Sequence, residues 1–483
     1  MDQINQSISE LFASFSSDPI VSISKIPMSG SIRVYFRIRT EGGSYIATWG
    51  INIRENLSFI RFSRHFREKT CPVPRILAVN NEGTLYIQED FGDVSLLNRL
   101  EEEGPSPTVF ALFKQSLQEL ARLQIQGDKG MDYENWCLTS SEFGRQAIMS
   151  DLLYFKYYFL DALRKPYDKQ KLIDDFEALS NYLTHTEYKY FMFRDFQSRN
   201  IMVKKDNSIH FIDYQGGMKG ALQYDVASML WQAKAELSDA WKEELLDYYI
   251  KCVETELGHP IDKDQFISQY NGYVLIRIMQ VLGAYGFRGL FERKAHFLIS
   301  IPLGLKNLRS FLHQYPVGKN LPEFERVLNL IVEDQIIGRF IPPRASAETP
   351  LTVHINSFSY RRNIPADNSG NGGGFVFDCR GILNPGRLEA FKVKTGRDKE
   401  VKEFLEQQTK MPEFLNSVFD LVDISVEDYL RRGFESLMVS FGCTGGQHRS
   451  VYAADALSRH LKNKFGVKVE LQHVEQEARN WKY

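Results

Sequence analysis

Two short segments combine acidic and amide side chains in an order that suits phosphoryl transfer. FRDFQSRN (193–200) contains Asp195 and Asn200, and FIDYQGG (211–217) contains Asp213. Phosphoryl transfer needs a carboxylate that orients the attacking hydroxyl and accepts its proton, and it needs oxygen ligands for magnesium. Asp195 suits the first role, and Asn200 and Asp213 suit the second. The ordered set therefore predicts a phosphotransferase centre that uses ATP and Mg2+.

A glycine-rich segment, SFGCTGGQHRSV (440–451), follows an apolar strand and precedes a predicted helix. Successive backbone amides and a helix N-terminus form an anion cradle, and Arg449 can clamp phosphate oxygens bidentately. The spacing from Cys443 to Arg449 also fits the cysteine-phosphatase pattern, in which a thiolate attacks phosphorus. Gly442 replaces the usual His of that pattern, and no general-acid Asp is identifiable. The interpretation favours a non-catalytic anion site over a phosphatase or a purely structural loop.

The elements that must position these segments change character along the chain. Residues 22–89 alternate like strands around one helical stretch at 56–68, whereas residues 108–313 mostly carry helical periodicity. A Pro-Pro segment at 336–350 indicates a linker, and alternating strands and helices follow it. The predicted domains are an N-terminal lobe (1–90), a helical lobe (91–335), a linker (336–350) and a compact α/β domain (351–483).

Bulk properties exclude several classes of protein. At 483 residues with a net charge of −2, the chain calls for two or three domains and gives no electrostatic argument for nucleic acid. Its five cysteines are scattered without a CxxC pair, which argues against a disulfide framework or a zinc site. The N-terminus lacks the features of a signal peptide, and no uninterrupted apolar run reaches about 18 residues. We expect a cytoplasmic protein with no membrane partner.

RDFQSRN, IDYQ and GALQYDVASML together resemble the aminoglycoside phosphotransferase-type kinases, and among these the bacterial anomeric kinases of N-acetylmuramate and N-acetylglucosamine. The resemblance spans about residues 20–320 and implies a bilobal protein-kinase-like fold. It implies that Asp225 braces the catalytic loop and caps the next helix. MSGSIRVYFRI resembles the family's phosphate-covering loop, and QEDFGD (88–93) resembles its adenine-binding segment. The implied nucleotide-binding residues are Ser29, Gly30, Ser31, Arg33, Arg37, Glu89 and Asp90.

The first part departs from this family at two positions. Phe193 stands where the family usually has His, and the strand SYIATWG offers Ala47, Thr48 or Trp49 in place of the phosphate-gripping lysine. Either an arginine substitutes for the lysine, or phosphate binding relies on the backbone and the metal. Two further interpretations stay open: a pseudokinase, and loop residues without any catalytic role.

INSFSYRR, FVFDCRGILNP, KTGRDKEV and GCTGGQHRSV resemble, in the same order, the C-terminal domain of the RapZ-type RNase adapter proteins. In that family the domain binds glucosamine-6-phosphate and takes part in small-RNA recognition. Gly386 stands where the family often has His, and the family's own N-terminal P-loop is absent from this sequence. Basic and acidic residues nearly balance in residues 351–483, so RNA is a weakly supported partner. The implied sugar-phosphate residues are Arg361, Asp378, Arg380, Cys443, Thr444, Gly445, Gly446, His448, Arg449 and Ser450.

The resulting expectation is an α+β protein, in which a bilobal protein-kinase-like domain precedes a compact α/β sugar-phosphate-binding domain. The predicted function is an ATP- and Mg2+-dependent sugar kinase acting on the anomeric hydroxyl of an N-acetylhexosamine, as in amino-sugar metabolism and peptidoglycan recycling. A hexosamine phosphate would bind the C-terminal domain. The alternatives are a regulatory sugar-phosphate or RNA adapter with an inactive kinase lobe, and an aminoglycoside-type O-phosphotransferase.

Overall fold

The computed structural model describes residues 2–26, 33–292, 294–317 and 319–478. The chain divides into two compact units: Met1–Phe291 with Ser300–Ile337, and Glu292–Ile299 with Gly338–Tyr483. The domain boundaries predicted from the sequence stay predictions.

The N-terminal lobe is a five-stranded antiparallel sheet in the order β1-β2-β3-β5-β4, with one helix before it in the chain and one within it. Ile8 and Phe12 of the first helix are fully buried against the sheet residues Phe36 and Ile38. The elements are α1 Asp2–Ala13, β1 Ile20–Lys25, β2 Val34–Thr40, β3 Ser44–Trp49, α2 Ile53–Glu68, β4 Ile76–Val79 and β5 Leu85–Glu89.

The start of α2 is fixed by two asparagines. The Asn52 side chain accepts the Glu55 backbone N–H at 3.3 Å and so caps the helix. Asn56 is fully buried, and its amide donates to the carbonyls of Gly50 (2.9 Å) and Gly83 (3.0 Å). Because these carbonyls follow β3 and lie in the β4–β5 turn, the first turn of α2, which carries Glu55, is held against the sheet.

Residues 96–338 are mainly helical, with two short antiparallel strand pairs, β6 with β9 and β7 with β8. The elements are α3 Leu96–Glu103, α4 Pro107–Asp128, α5 Tyr133–Trp136, α6 Arg145–Phe155, α7 Lys169–Thr184, β6 Lys189–Met192, β7 Ile201–Val203, β8 Ile209–Phe211, β9 Met218–Ala221, α8 Leu222–Leu230, α9 Asp239–Leu257, α10 Lys263–Tyr285, α11 Ala295–Leu298, α12 Ile301–Gln314, α13 Pro322–Ile331 and α14 Asp334–Gly338.

Helix α10 continues into a π-helical turn at Gly286–Phe291. Within the described residues, this is the helical stretch whose length and composition would suit a membrane span, but 56% of its apolar window is buried inside the protein. At Gly286, a Cβ would lie 2.4 Å from the Tyr158 carbonyl oxygen, so the chain approaches a second π-helical turn, Lys156–Leu160, very closely. We therefore interpret α10 as a core helix of the first unit.

An aromatic layer joins α2 to the strands around the predicted catalytic loop. The ring of Phe59 stacks on Tyr214 at 4.8 Å, and Phe66 meets Phe191 edge-on at 4.8 Å. The hydroxyls of Ser63 and Tyr214 lie 2.6 Å apart in the same buried layer. Since α2 belongs to the N-terminal lobe and Tyr214 follows Asp213, this packing sets the distance between the sheet and the catalytic segment.

The second unit is built on a four-stranded parallel sheet in the order β11-β12-β10-β13. In its register, Asp378 lies beside Gly442 and Ser359 beside Cys443. The loops that follow three of these strands therefore share the carboxyl edge, where ligands bind in such sheets. The elements are β10 Thr352–Ser359, β11 Phe375–Asp378, α15 Lys399–Gln408, α16 Met411–Arg432, β12 Ser436–Cys443, α17 Arg449–Phe465, β13 Lys468–His473 and α18 Val474–Ala478.

We predict that Tyr214→Phe lowers the free energy of unfolding by about 0.5–1.5 kcal/mol, because it removes one buried hydrogen bond. Ser63 keeps its bond to the Phe59 carbonyl at 2.7 Å, so no hydroxyl is left unpaired. Calorimetry should show a lower melting temperature for the transition of the first unit. Tyr157→Phe is the control, since Tyr157 is 57% exposed. Equal melting temperatures for the two variants would contradict the prediction.

Candidate active site

The three residues predicted for phosphoryl transfer converge at one end of the β7–β8 hairpin. Asn200 is nearly buried, and its Nδ2 donates to the Asp195 backbone carbonyl at 2.9 Å and lies 3.5 Å from Asp213 Oδ2. The Asp195 and Asp213 side chains are 44% and 39% exposed. One buried amide thus links the backbone of Asp195 to the carboxylate of Asp213, and both aspartate side chains remain open to solvent.

The oxygen atoms at this point fit a magnesium ion. Because the Asn200 Nδ2 faces a carbonyl oxygen, its Oδ1 points elsewhere, and this oxygen accepts no hydrogen bond from the described residues. Asp213 Oδ1 accepts from Gln215 at 3.0 Å, whereas the hydrogen bond to Oδ2 from the described part of the chain is the long one from Asn200. Hard oxygen ligands of this kind are what Mg2+ takes from proteins.

Asp225 braces the catalytic loop from α8. Its carboxylate is fully buried and accepts the backbone N–H groups of Phe193 (2.7 Å) and Arg194 (3.0 Å) and the Gln124 amide (2.9 Å). Burial raises the pKa of Asp225 to about 7, although these three hydrogen bonds act to lower it. The bracing role is confirmed. The predicted capping role is wrong, because α8 begins at Leu222 with Ala221 as its N-cap residue.

Arg33 is a buried cation beside Asp213. Its Nε lies 3.1 Å from Glu55 of α2, and its Nη2 lies 3.3 Å from Asp213 Oδ1. The residue is only 3% exposed, and it directly precedes β2 in the chain rather than lying on β3. Glu55 was not identified from the sequence. Its place in the first turn of the helix after β3 was the available signal.

Arg37 holds the segment between the lobes. Its guanidinium donates to Asp90 at 2.7 Å and to Asp93 at 2.8 Å. Burial acts to raise the pKa of Asp90, but the bond from Arg37 and the Gly92 backbone N–H keep it below its ordinary value. Glu89 accepts the Arg75 backbone N–H at 3.0 Å. Arg37, Glu89 and Asp90 are thus not gathered with Arg33. The predicted phosphate-loop residues Ser29, Gly30 and Ser31 lie outside the described residues.

Helix α10 contributes a cation to the catalytic carboxylate. Arg277 Nη1 donates to Asp195 Oδ1 at 3.1 Å and to Gln280 Oε1 at 2.9 Å. Burial acts to raise the pKa of Asp195, but Arg277, Arg194 and Arg199 together lower it. Asp195 therefore stays ionised near neutral pH. Helix α10 thus reaches the catalytic residue through Arg277.

A cavity of about 710 Å³ adjoins the catalytic loop. Arg194 and Asp151, which form an ion pair at 2.8 Å, contribute to its wall together with Gly216 and Met218. Arg194 directly precedes Asp195 in the chain, and Gly216 follows Asp213 by three residues. Its volume lies in the range of small-molecule pockets.

In the second unit, the loop from Cys443 to Ser450 closes around a thiol. Cys443 Sγ accepts the Gly446 N–H at 3.2 Å and lies 3.1 Å from the Ser450 hydroxyl. Arg449, the first residue of α17, is 3% exposed and uses Nη1 on the carbonyls of Arg380 (3.1 Å) and Ile382 (2.7 Å). One end of this guanidinium is therefore an anchor for the 380–382 turn.

The other predicted sugar-phosphate residues lie around this loop or pair with each other. Arg449 Nη2 reaches the Thr444 hydroxyl at 3.4 Å, which places the guanidinium beside Thr444–Gly446. Asp378 and Arg380 form an ion pair at 2.7 Å. The His448 ring bonds the Phe391 carbonyl at 2.9 Å, whereas Arg361 is exposed.

Gly386, which stands where the related family often has His, lies against the ring of His448. A Cβ at this position would lie 3.2 Å from His448 Cε1, so Gly386 faces the His448 ring closely. A side chain there would need His448 to move slightly. The two positions are therefore neighbours in the structure.

Comparisons with known proteins match the first and the second part of the chain to two different families. The profile described as "Phosphotransferase enzyme family" matches residues 23–259, and the profile described as "RapZ C-terminal domain" matches residues 351–477. The phosphotransferase match confirms the predicted bilobal kinase-like class of the first part, and the parallel sheet confirms the α/β class of the second.

Relatives and solved structures cover different parts. A nucleotide-binding protein of Fervidobacterium nodosum is 39% identical over 127 residues, covering 26% of this chain and 43% of the relative. Another nucleotide-binding protein, from Fusobacterium nucleatum, is 31% identical over 215 residues. This match covers 42% of this chain and 69% of the relative. This chain therefore spans under half of the first relative's length.

Two similar structures cover the first part. One is a putative aminoglycoside phosphotransferase from Ralstonia eutropha, which is 14% identical with a TM-score of 0.44 and covers 64% of this chain and 98% of its own. The other is the choline kinase LicA from Streptococcus pneumoniae, which is 12% identical with a TM-score of 0.40 and covers 64% of this chain and 99% of its own. The family matches and the Fusobacterium relative are the evidence for kinship. The chain belongs to the family of RapZ-type nucleotide-binding proteins through its C-terminal domain, and its residues 23–259 are a phosphotransferase-family domain.

Proposed function

We propose that this protein is an ATP- and Mg2+-dependent cytoplasmic kinase of a small sugar, acting on the anomeric hydroxyl of an N-acetylhexosamine. The observation that carries the proposal is the convergence of Asp195, Asn200 and Asp213, with Arg33 paired to the last of them. Solvent-open carboxylates beside a buried amide suit a substrate and a metal better than they suit a folded-loop role.

In the proposed reaction, the acceptor hydroxyl donates its proton to Asp195 while its oxygen forms a new bond to the γ-phosphorus of ATP. The bond from that phosphorus to the β,γ-bridging oxygen breaks, and the electron pair leaves with ADP. Asn200 and Asp213 would hold Mg2+, which neutralises the negative charge of the phosphates. Arg33 would supply the cation that a strand lysine supplies elsewhere, and Glu55 would keep it in place.

The main rival is a regulatory adapter with an inert kinase lobe, which the missing strand lysine would favour. Arg33 weakens this rival, because a buried cation stands between an α2 glutamate and Asp213. An aminoglycoside-type O-phosphotransferase is the second rival, and it shares the same catalytic residues. Phosphorus NMR on products from a panel of free hexoses, N-acetylhexosamines and aminoglycosides separates all three.

For the C-terminal unit we propose a hexosamine-phosphate site at the Cys443–Ser450 loop. Backbone amides at the loop and the start of α17 provide donors, and Arg449 adds charge. We also propose that glucosamine-6-phosphate bound at this site changes the rate of the kinase. Such feedback would serve amino-sugar metabolism and peptidoglycan recycling. RNA remains a weaker candidate partner because the charge of this unit is nearly balanced.

We predict that Asp195→Asn lowers kcat for sugar phosphorylation by at least about a hundredfold, because the proton acceptor is lost. ATP affinity, measured by calorimetry, should stay within a factor of a few. Asp206→Asn, in the exposed turn between β7 and β8, is the matched control and should act like the wild type. Full activity in Asp195→Asn would end the kinase assignment.

We predict that Arg33→Gln lowers kcat/KM for ATP by about a hundredfold, since a charged donor to the nucleotide site is removed. Arg33→Lys should retain more activity, because it keeps the charge. Arg64→Gln, on the exposed face of α2, is the control. Should steady-state kinetics give Arg33→Gln the wild-type value, phosphate binding would depend on the backbone and the metal alone.

We predict that glucosamine-6-phosphate changes the kinase rate of the wild type and leaves that of Arg449→Ala unchanged. The reason is that this variant loses the buried guanidinium beside Thr444. Arg459→Ala, exposed on α17, is the control and should respond like the wild type. Circular dichroism checks that Arg449→Ala is folded. A wild-type rate that ignores the ligand would remove the regulatory claim.

A further inference from the structure

Helix α10 brings Arg277 to the catalytic carboxylate across 82 positions of sequence, and Gln280 of the same helix contacts Arg277. Arg277 and Gln280 lie one turn apart, and Arg277 Nη1 donates to both Asp195 Oδ1 and Gln280 Oε1. The Arg277 side chain is only 4% exposed, whereas that of Asp195 is 44% exposed. A buried cation therefore grips one oxygen of the carboxylate and leaves the rest of the group toward solvent.

The chemistry of the guanidinium fixes the orientation of both partners. Arginine only donates hydrogen bonds, so the Gln280 atom that faces it must be the oxygen. The Gln280 Nε2 then points away from Arg277, and it makes no hydrogen bond to the described residues. Asp195 Oδ2 likewise has no such partner. Arg277 Nη1 thus links the Asp195 carboxylate to the Gln280 amide, and each of these two groups keeps one polar atom outside that link.

We propose that Arg277 is a positioning residue for Asp195 and that Gln280 selects the acceptor by donating to an oxygen adjacent to the attacked hydroxyl. The inference rests on the proposed phosphotransferase function. The attacked hydroxyl donates to Asp195 Oδ2, and a neighbouring ring or hydroxyl oxygen accepts from Gln280 Nε2. Such paired oxygens are found in sugars and other polyols. Choline has a quaternary ammonium group in that place and cannot accept the Gln280 hydrogen bond.

The charged surroundings of Asp195 support the role of Arg277. Arg194 is already committed to Asp151 at 2.8 Å, so its charge is largely balanced. Arg277 has no carboxylate partner other than Asp195 among the described residues. The charged or titratable groups around this carboxylate are Arg194 and Arg199 of the catalytic loop, Arg277 and Tyr285 of α10, Tyr224 of α8, Asp151 of α6 and Asp213 after β8.

The first test compares kcat with KM in Arg277→Gln. Loss of the guanidinium leaves the Asp195 carboxylate free to turn, so kcat for the sugar should fall by about tenfold or more, while KM for ATP stays within a factor of a few. Arg277→Lys, which keeps a cationic donor, should restore kcat in part. A merely structural role would lower the number of ATP-binding sites per chain and leave kcat per binding site unchanged. A wild-type kcat per binding site in Arg277→Gln would overturn the positioning role.

The second test is Gln280→Leu, which removes the donor while keeping the size of the side chain. We expect KM for N-acetylglucosamine or glucose to rise about three- to tenfold, with KM for ATP unchanged. Gln265→Leu, exposed on the same helix, is the matched control. Wild-type sugar KM in Gln280→Leu, or phosphorylation of choline as fast as of sugars by the wild type, would overturn the selection role.

These outcomes separate the inference from the proposed function. A wild type that phosphorylates sugars while both variants behave as the wild type would refute only the inference. A folded wild type that binds ATP but transfers phosphate to no member of the panel would refute the proposed function and this inference with it. Gln280→Leu changes a half-buried neutral side chain, so it keeps the test open if Arg277→Gln does not fold.

Discussion

The first unit depends on one buried carboxylate that holds the turn of the catalytic loop. Asp225 receives two consecutive backbone N–H groups from Phe193 and Arg194, and Arg194 adopts a left-handed conformation (φ 80°) that few non-glycine residues take. The strain of that turn is offset by hydrogen bonds to a group with no access to water. Asp195 directly follows this turn, so the direction of its side chain depends on the hydrogen bonds that Asp225 of α8 accepts.

Local order in the chain explains why part of the site was predictable. Asp195, Asn200 and Asp213 lie within 19 consecutive residues on a loop and a hairpin, so their types and spacing carry the geometry. Glu55 and Arg277 are far away in sequence and reach the site only through the packing of α2 and α10. A helix pattern predicts that such residues exist on a helix, but not which distant loop they meet.

In the C-terminal unit, too, features formed by neighbouring residues were predictable, and contacts between residues far apart in sequence were not. Alternating strands and helices predicted its α/β class, and the glycine-rich turn between β12 and α17 lies at the carboxyl edge of the sheet. The anchoring of Arg449 on the carbonyls of Arg380 and Ile382 was not predictable, because it joins two loops separated by nearly 70 residues. A side chain identified as a ligand from its motif also stabilises the fold.

The cation beside Asp213 enters from β2, and β3 presents alanine, threonine and tryptophan at its end. A nucleotide that carries an acyl phosphate would need a nearby amine, such as that of a lysine on β3, to accept its acyl group. Strand β3 of this protein has no such amine, and a guanidinium is a poor nucleophile toward an acyl phosphate. Labelling of that kind would therefore find no amine on β3, and the 3% exposure of Arg33 would also shield this guanidinium from arginine-directed dicarbonyl reagents.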